Sequence, residues 1–256
     1  MSTASSPLAT VELSGKIATL TLRRPEARNA LSLELLKDLE ACLDEILAGH
    51  AAKDARVLIL TGEGKSFCAG LDLKAIMDDP HAPGMLLRRL GELMIKIRML
   101  PMITLAKANG AAIGGGAGMT SVCDLAITHA DAKIGYPEVD LGVCPAVVGP
   151  WVVRKIGAGK ARRVLLSGGI MSGQQAYDIG LIDHLVPTAA ELDVETMKIA
   201  ERLASGGLLA IQKTKELLNE IDGSADIAMA RKAAELSASV IGSEETRAML
   251  KARLSK

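Results

Sequence analysis

The chain has 256 residues, 49% of them apolar, with 30 basic and 30 acidic side chains and a formal net charge of zero. That length suits one large domain, or one domain with a small appendage, burying roughly three quarters of the surface its unfolded chain exposes. The balanced charge supplies no field to steer the chain onto nucleic acid or an anionic membrane, and Phe67, Tyr136, Trp151 and Tyr177, its only aromatics, make a poor platform for stacking bases.

Val11-Glu-Leu and Ile17 to Leu22 alternate apolar and polar residues around Ser14-Gly-Lys16, which predicts a β-hairpin. A charged loop, Arg23 to Asn29, follows. Ser32 then caps a helix whose Leu36, Leu39, Leu43, Ile46 and Leu47 recur at three and four. Val57 to Thr61 is a continuous apolar run of the kind that forms a buried parallel strand. Gly62 to Asp72 reads as a glycine-bearing loop and Ile76 to Gly84 as a mobile one. A Met-rich helix carrying Met85, Met94 and Met99 ends at Pro101.

A further strand, Ile103 to Ala106, delivers the chain into Asn109-Gly-Ala-Ala-Ile-Gly-Gly-Gly-Ala-Gly-Met119. Asp124 to Thr128 reads as a strand, Lys133 to Val139 as a short extended piece, and Val147 to Ile156 as a helix begun after Pro145. From Glu191 the pattern is helical nearly to the end, broken at Gly206-Gly207 and Gly223. Strands alternate with helices and then helices run alone, so the expected class is α/β with an α-helical C-terminal region. The expected boundaries are residues 1–190 for the core and 191–256 for the helices.

The four cysteines, Cys42, Cys68, Cys123 and Cys144, are isolated and read as small hydrophobes in a reducing compartment. The opening Met1 to Pro7 has no basic and apolar regions of a signal peptide, and no apolar run approaches the ~20 residues of a membrane span. The expectation is a cytoplasmic protein, with enough apolar surface for subunit contacts.

Gly114, Gly115 and Gly116, with Gly118 behind them, remove every Cβ along one turn of backbone. A helix starting there would offer N–H groups with no internal carbonyl partner, favouring negative charge in front of them. The same glycines could equally serve as a turn that lets a helix pack close to a strand. A dinucleotide fingerprint is excluded because its third glycine falls on Met119. A phosphate-binding P-loop at Gly64-Lys65-Ser66 is excluded because Ile59 stands where its first glycine belongs.

Ligands of an α/β sheet collect beyond the carboxyl ends of its strands. Two small-residue loops leave strands there: Cys68-Ala-Gly-Leu71 and Gly114-Gly-Gly-Ala117. Two N–H groups from such loops can hold one carbonyl oxygen as it gains charge. One carboxylate would then complete proton transfer on a thioester enolate. Glu138, in Tyr136-Pro-Glu-Val139 among apolar neighbours, is the candidate, with burial raising its pKa; it could also be a surface glutamate at a strand end. Asp140 and Asp124 compete for the role, although Asp124 lies where carboxylates cap or pair structurally. His50, His81, His129 and His184 lack metal-ligand spacing, and only His81 is placed to overhang a pocket. There is no Gly-x-Ser-x-Gly elbow, and Cys68 and Cys144 have no histidine to activate them, so core packing is expected of both.

Arg24-Pro-Glu-Ala-Arg-Asn-Ala-Leu31, Ser66-Phe-Cys-Ala-Gly-Leu-Asp-Leu-Lys74, Asn109-Gly with Gly114-Gly-Gly116, and Tyr136-Pro-Glu-Val-Asp-Leu-Gly142 together resemble the enoyl-CoA hydratase/isomerase (crotonase) superfamily in order and spacing. Arg162, Ser167-Gly168, Ala176, Gly180-Leu181 and Val186-Pro187 continue the pattern to about residue 190. The resemblance implies a crotonase-like ββα spiral, C-terminal helices that mediate trimers often paired into hexamers, and a coenzyme A thioester as substrate and partner. It implies oxyanion donors at the N–H groups of Leu71 and Gly115 and a catalytic carboxylate at Glu138. Ala69, Leu71, Asp72 and Leu73 would line the coenzyme A site, Lys74 would lie near its phosphates, and Arg28 is available as a cation. No metal and no cofactor beyond the substrate's own coenzyme A are expected.

One position departs from the pattern. Well-known hydratases of this superfamily hold the attacking water between two glutamates; the second matches Glu138, but the first falls at Gly118. Single-glutamate members include double-bond isomerases. A hydratase branch similar to methylglutaconyl-CoA hydratases also carries glycine there, and shares a segment like Leu141-Gly-Val-Cys-Pro-Ala-Val147. The resemblance therefore implies a hydratase-type lyase. The alternatives are an isomerase, another crotonase-fold hydrolase or decarboxylase, or a non-catalytic acyl-CoA binder.

Overall fold

The structure, a computed structural model, describes residues 6–49, 54–73, 79 and 81–254. The hairpin forms as expected: β1 (Ala9–Ser14) pairs antiparallel with β2 (Ile17–Leu22) through a two-residue turn, in which Gly15 takes φ 58°. A two-residue hairpin turn needs that left-handed conformation, and glycine adopts it at no steric cost. Ser32 caps α1 (Leu33–Ala48), its hydroxyl accepting from the Leu35 N–H at 3.2 Å. The helix presents Leu35, Leu36, Leu39, Leu43 and Ile46 to the interior.

From β3 onward the chain alternates between two sheets. β3 (Val57–Gly62), β5 (Ile103–Ala108) and β7 (Leu125–His129) join a six-stranded sheet in the order β1-β2-β3-β5-β7-β10, parallel from β2 on, with β10 spanning His184–Val186. The strand after each of these, β4 (Ser66–Cys68), β6 (Ala111–Ile113) and β8 (Lys133–Gly135), crosses to a second sheet completed by β9 (Ile170–Ser172). α2 (Ala82–Arg98) and α3 (Gly115–Val122) then return the chain to the first sheet, whereas α4 (Gly149–Ser167) leads to β9 in the second. Each repeat of strand, strand and helix is one turn of a ββα spiral.

β3 shows why its sequence is apolar throughout. Leu58 and Leu60 enter the main core, whereas Val57 and Ile59 enter a second cluster with Leu105, Ile127, Leu192 and Ile199. A strand covered on both faces has no polar side to display. α5 (Gly173–Ile179) leads into β10, and α6 (Leu192–Ala204), α7 (Leu208–Ile221), α8 (Ile227–Ile241) and α9 (Glu244–Leu254) form the helical C-terminal region.

Several local expectations are corrected. Gly62 to Asp72 is not all loop, because β4 lies within it, and the glycine stretch contains β6. Three-residue strands are too short to show a period, so neither was readable. Of the loop expected over Ile76 to Gly84, residues 82–84 are the first turn of α2, which tolerates Pro83 because its first N–H groups need no partner. Residues 74–78 and 80 lie outside the described residues. The extended piece at Lys133 stops at Gly135, and a 3-10 turn, Val139–Leu141, takes over. α4 starts at Gly149 rather than Val147 and runs on to Ser167 through a non-helical Gly157.

Asp124 is structural. Its carboxylate accepts from the Thr104 N–H at 2.8 Å and from Lys215 Nζ at 2.7 Å, tying α7 to the start of β5. Burial lowers the Lys215 pKa against the opposing pull of Asp124. Among the described residues no helix is long and apolar enough to cross a membrane.

Candidate active site

β4 and β6 are parallel neighbours, with Ser66 opposite Ala111 and Cys68 opposite Ala112. The loops that leave them therefore emerge side by side. Gly70, at φ 90°, brings its Cα against the Ile113 carbonyl, where an added Cβ would meet the oxygen at 2.8 Å. An added Cβ on Gly116 would collide with the Cys68 backbone and lie 2.8 Å from the Cys68 Cβ. These two glycines are close-approach positions: the start of α3 rests directly on the end of β4.

Gly114 precedes α3 with φ 54° and ψ −120°, a conformation closed to other residues, and donates to the Gly135 carbonyl at 2.8 Å. The chain then enters the helix at Gly115, whose N–H has no acceptor among the described residues. The Leu71 N–H likewise has none, although its neighbours are paired: Leu31 N–H to the Gly70 carbonyl at 2.7 Å, and Asp72 N–H to the Leu31 carbonyl at 3.0 Å. Leu71 and Gly115 line one pocket of about 80 Å³. Two free donors there, one at a helix N-terminus, suit an oxygen that gains negative charge.

Glu138 lines the same pocket. Its Oε1 would lie 3.0 Å from a Cβ on Gly114, so the missing side chain makes room for the carboxylate. Its Oε2 is buried and has no hydrogen-bond partner. Burial lifts its pKa from 4.5 to about 7, and a hydrogen bond from its own backbone N–H pulls the other way. A carboxylate poised near neutrality beside two free N–H donors can take a proton and return it. The rest of the wall is hydrocarbon, including Leu87 and Leu90 of α2 and Leu141, Val143 and Val147.

Of the residues singled out from the sequence, Ala69, Leu71, Leu73, Gly115 and Glu138 all line this pocket. Asp72 is not among its lining residues and pairs with Arg24 at 2.6 Å. Arg28 is exposed at φ 53°, and its carbonyl accepts from the Ala69 N–H at 3.0 Å. Lys74 and His50 lie outside the described residues. Asp140 is occupied in holding the Gly169 N–H at 2.9 Å. His81 is exposed at the start of α2 and does not line the pocket. Cys68 is buried, which pushes its thiol up to about 12. Cys144 is half-buried and lines the pocket rather than packing in the core. Among the described residues there is no cluster of His, Cys, Asp and Glu able to hold a metal.

Gly118 is fully enclosed in α3. An added Cβ would collide with Val148 and lie 2.7 Å from Met94 Cε, so two apolar side chains fill the volume beside it. Asn29 is the functional support that sequence reading passed over. It is fully buried at φ 55°, accepts from the Arg24 N–H at 2.8 Å, and donates to the carbonyls of Glu63 at 3.0 Å and Ser66 at 2.8 Å. It anchors the charged loop to both sides of the approach to β4. Asparagine's tolerance of the left-handed region, inside a loop otherwise charged, was the available signal.

The family model described as enoyl-CoA hydratase/isomerase matches residues 12–253. A crotonyl-CoA hydratase of Syntrophomonas wolfei is 36% identical over 216 residues, 82% of this chain and 80% of its own. An enoyl-CoA isomerase/hydratase of Mycosarcoma maydis is 36% identical over 217 residues, 82% and 78% of the two chains. The crystal structure of an enoyl-CoA hydratase from Bacillus halodurans superposes with a TM-score of 0.86 at 25% identity, covering 96% of this chain and 99% of that one.

Proposed function

From the premise that the chain belongs to the enoyl-CoA hydratase/isomerase family and is an enzyme of it, we propose that it hydrates the double bond of a short 2-enoyl-CoA thioester with Glu138 as its one acid–base group. The observation that carries this reading is the buried, unpartnered Glu138 Oε2 in the same pocket as the free N–H groups of Leu71 and Gly115. The Glu138 carboxylate takes a proton from water as the water oxygen bonds to the β-carbon. The π electrons shift onto the thioester oxygen, which Leu71 and Gly115 hold as an enolate. Glu138 then returns the proton to the α-carbon, the carbonyl reforms, and the carboxylate is restored.

A pocket of about 80 Å³ is far smaller than the ~300–1,000 Å³ that encloses a drug-sized ligand, which supports a short acyl group. The coenzyme A portion would run along Arg28, Ala69 to Leu73 and Lys74. Exposed Leu209, Leu218 and Ile221 on α7 support an assembly, a trimer or hexamer, that covers this face. Four free cysteines support work in a reducing compartment such as the cytoplasm.

The test is direct. Crotonyl-CoA mixed with the protein should lose its conjugated thioester absorbance, and Glu138→Gln should abolish the loss; full activity in that variant overturns the assignment. A second reading, an isomerase moving a proton between carbons, is favoured by Val148 and Met94 filling the space beside Gly118. Turnover in H₂¹⁸O separates the two, because label in the acyl chain excludes pure isomerisation.

A further inference from the structure

The segment that carries Glu138 runs on through Gly142 to Val147, and the C-terminal helices hold it. Ser237 of α8 is fully buried, and its one hydroxyl closes both ends of the turn Cys144–Val147. The Ser237 Oγ accepts from the Val147 N–H at 2.8 Å and donates to the Cys144 carbonyl at 2.8 Å. Cys144, Pro145 and Val147 all line the pocket. Upstream, Thr246 Oγ1 of α9 donates to the Gly142 carbonyl at 2.7 Å. Beside the same wall α8 packs against α2, where an added Cβ on Gly91 would lie 2.8 Å from the Ala234 Cβ and 3.6 Å from Val147 Cγ2.

We propose that Ser237 is a positioning residue that sets the depth of the acyl pocket by pinning its far wall, so that the enzyme selects short acyl chains. This rests on the acyl-CoA reading of the site. Without the hydroxyl, the buried Val147 N–H and the part-buried Cys144 carbonyl lose their partner together, and the turn must move toward water to regain one. The wall formed by Cys144, Pro145 and Val147 then opens and longer chains enter. Glu138 keeps its place through Tyr136, whose hydroxyl is tied to Ser121 and Ala117 of α3, and through Thr246, which holds Gly142 independently of Ser237; the two N–H donors follow paired strands of the second sheet.

Ser237→Ala in the full-length protein tests this. The ratio of kcat/KM for crotonyl-CoA to that for 2-decenoyl-CoA should fall about tenfold or more, the discrimination that a methylene carries in an apolar pocket. The Cys144 thiol, the one cysteine of the four that is not buried, should react several-fold faster with an aromatic disulfide. Ser237→Cys keeps the volume with a weaker donor and should shift both readouts partway, which retains the test if the alanine variant does not fold. A chain-length ratio unchanged within about twofold, in a folded variant, overturns the proposal. If the native protein turns over neither thioester, the functional reading fails instead, and the Cys144 labelling rate alone decides whether Ser237 holds the wall.

Discussion

The hydroxyls of Tyr136 and Ser121 lie 2.7 Å apart in the interior, and Tyr136 also donates to the Ala117 carbonyl at 3.1 Å. Tyr136 stands two residues before Glu138, whereas Ser121 and Ala117 belong to α3, the helix that begins at Gly115. The pair therefore ties the segment that carries the carboxylate to the helix that offers one of the proposed oxyanion donors. Tyr136→Phe should cost roughly 1–3 kcal/mol of stability through the buried Ser121 hydroxyl left without a partner, while the Ala117 carbonyl keeps the Thr120 hydroxyl at 2.7 Å. It should also lower kcat about tenfold with KM little changed, since only the alignment of base and donor is disturbed. Urea unfolding and steady-state kinetics read the two effects separately.

Glu138 makes both activity and stability depend on pH. The carboxylate form accepts the proton, so kcat/KM should rise with pH and level off above about 7. Stability moves the other way. The folded-state pKa is raised, so between 4.5 and about 7 the unfolded chain ionises while the native one holds its proton, and stability falls as pH rises through that window. Glu138→Gln removes the penalty. It should match the native protein near pH 4 and exceed it by roughly 1–3 kcal/mol at pH 8, in parallel denaturant titrations.

Gly118 should resist substitution. The Cβ of Gly118→Ala would push against Val148 and Met94, and overpacking of this kind costs roughly 1–3 kcal/mol. Gly118→Glu, which would install a second acid, should give insoluble or largely unfolded protein. The combination with Val148→Ala, which opens space, should recover part of the melting temperature lost. Differential scanning calorimetry of the three variants checks the order.

Asn29→Ala should be more damaging than its loop position suggests. Three partners lose their hydrogen bonds, and alanine must adopt a left-handed conformation that costs about 1–2 kcal/mol on its own. The expected loss is about 3 kcal/mol or more, with a raised KM for the thioester because Ala69 to Asp72 pair with Arg28 and Leu31 in the adjoining segment. Thermal unfolding and a substrate titration would show both.

The strands that could be read from sequence were those with a long enough pattern. β3 announced its double burial by an unbroken apolar run, and α1 its buried face by its spacing of three and four. β4 and β6, three residues each, were invisible as strands, and β8 was legible only as the start of a longer extended piece, yet the three are what bring Leu71, Gly115 and Glu138 to one pocket. Glycine and carboxylate chemistry flagged those positions because it is local to the residue. The supports were not local: Ser237 acts across 90 residues on Val147, and Asn29 across 37 on Ser66. A serine in a helix and an asparagine in a loop carry no mark of such partners until the chain is folded.

The placement of successive strands in two sheets also has a metric consequence. Leu71 and Gly115 follow β4 and β6, which are hydrogen-bonded neighbours, and such strands stand about 4.8 Å apart. The two donors are backbone N–H groups carried just beyond those strands, and no side chain enters into the pair. On the proposed function, substitutions in the walls thus alter which acyl group is received while the backbone goes on holding the same thioester carbonyl.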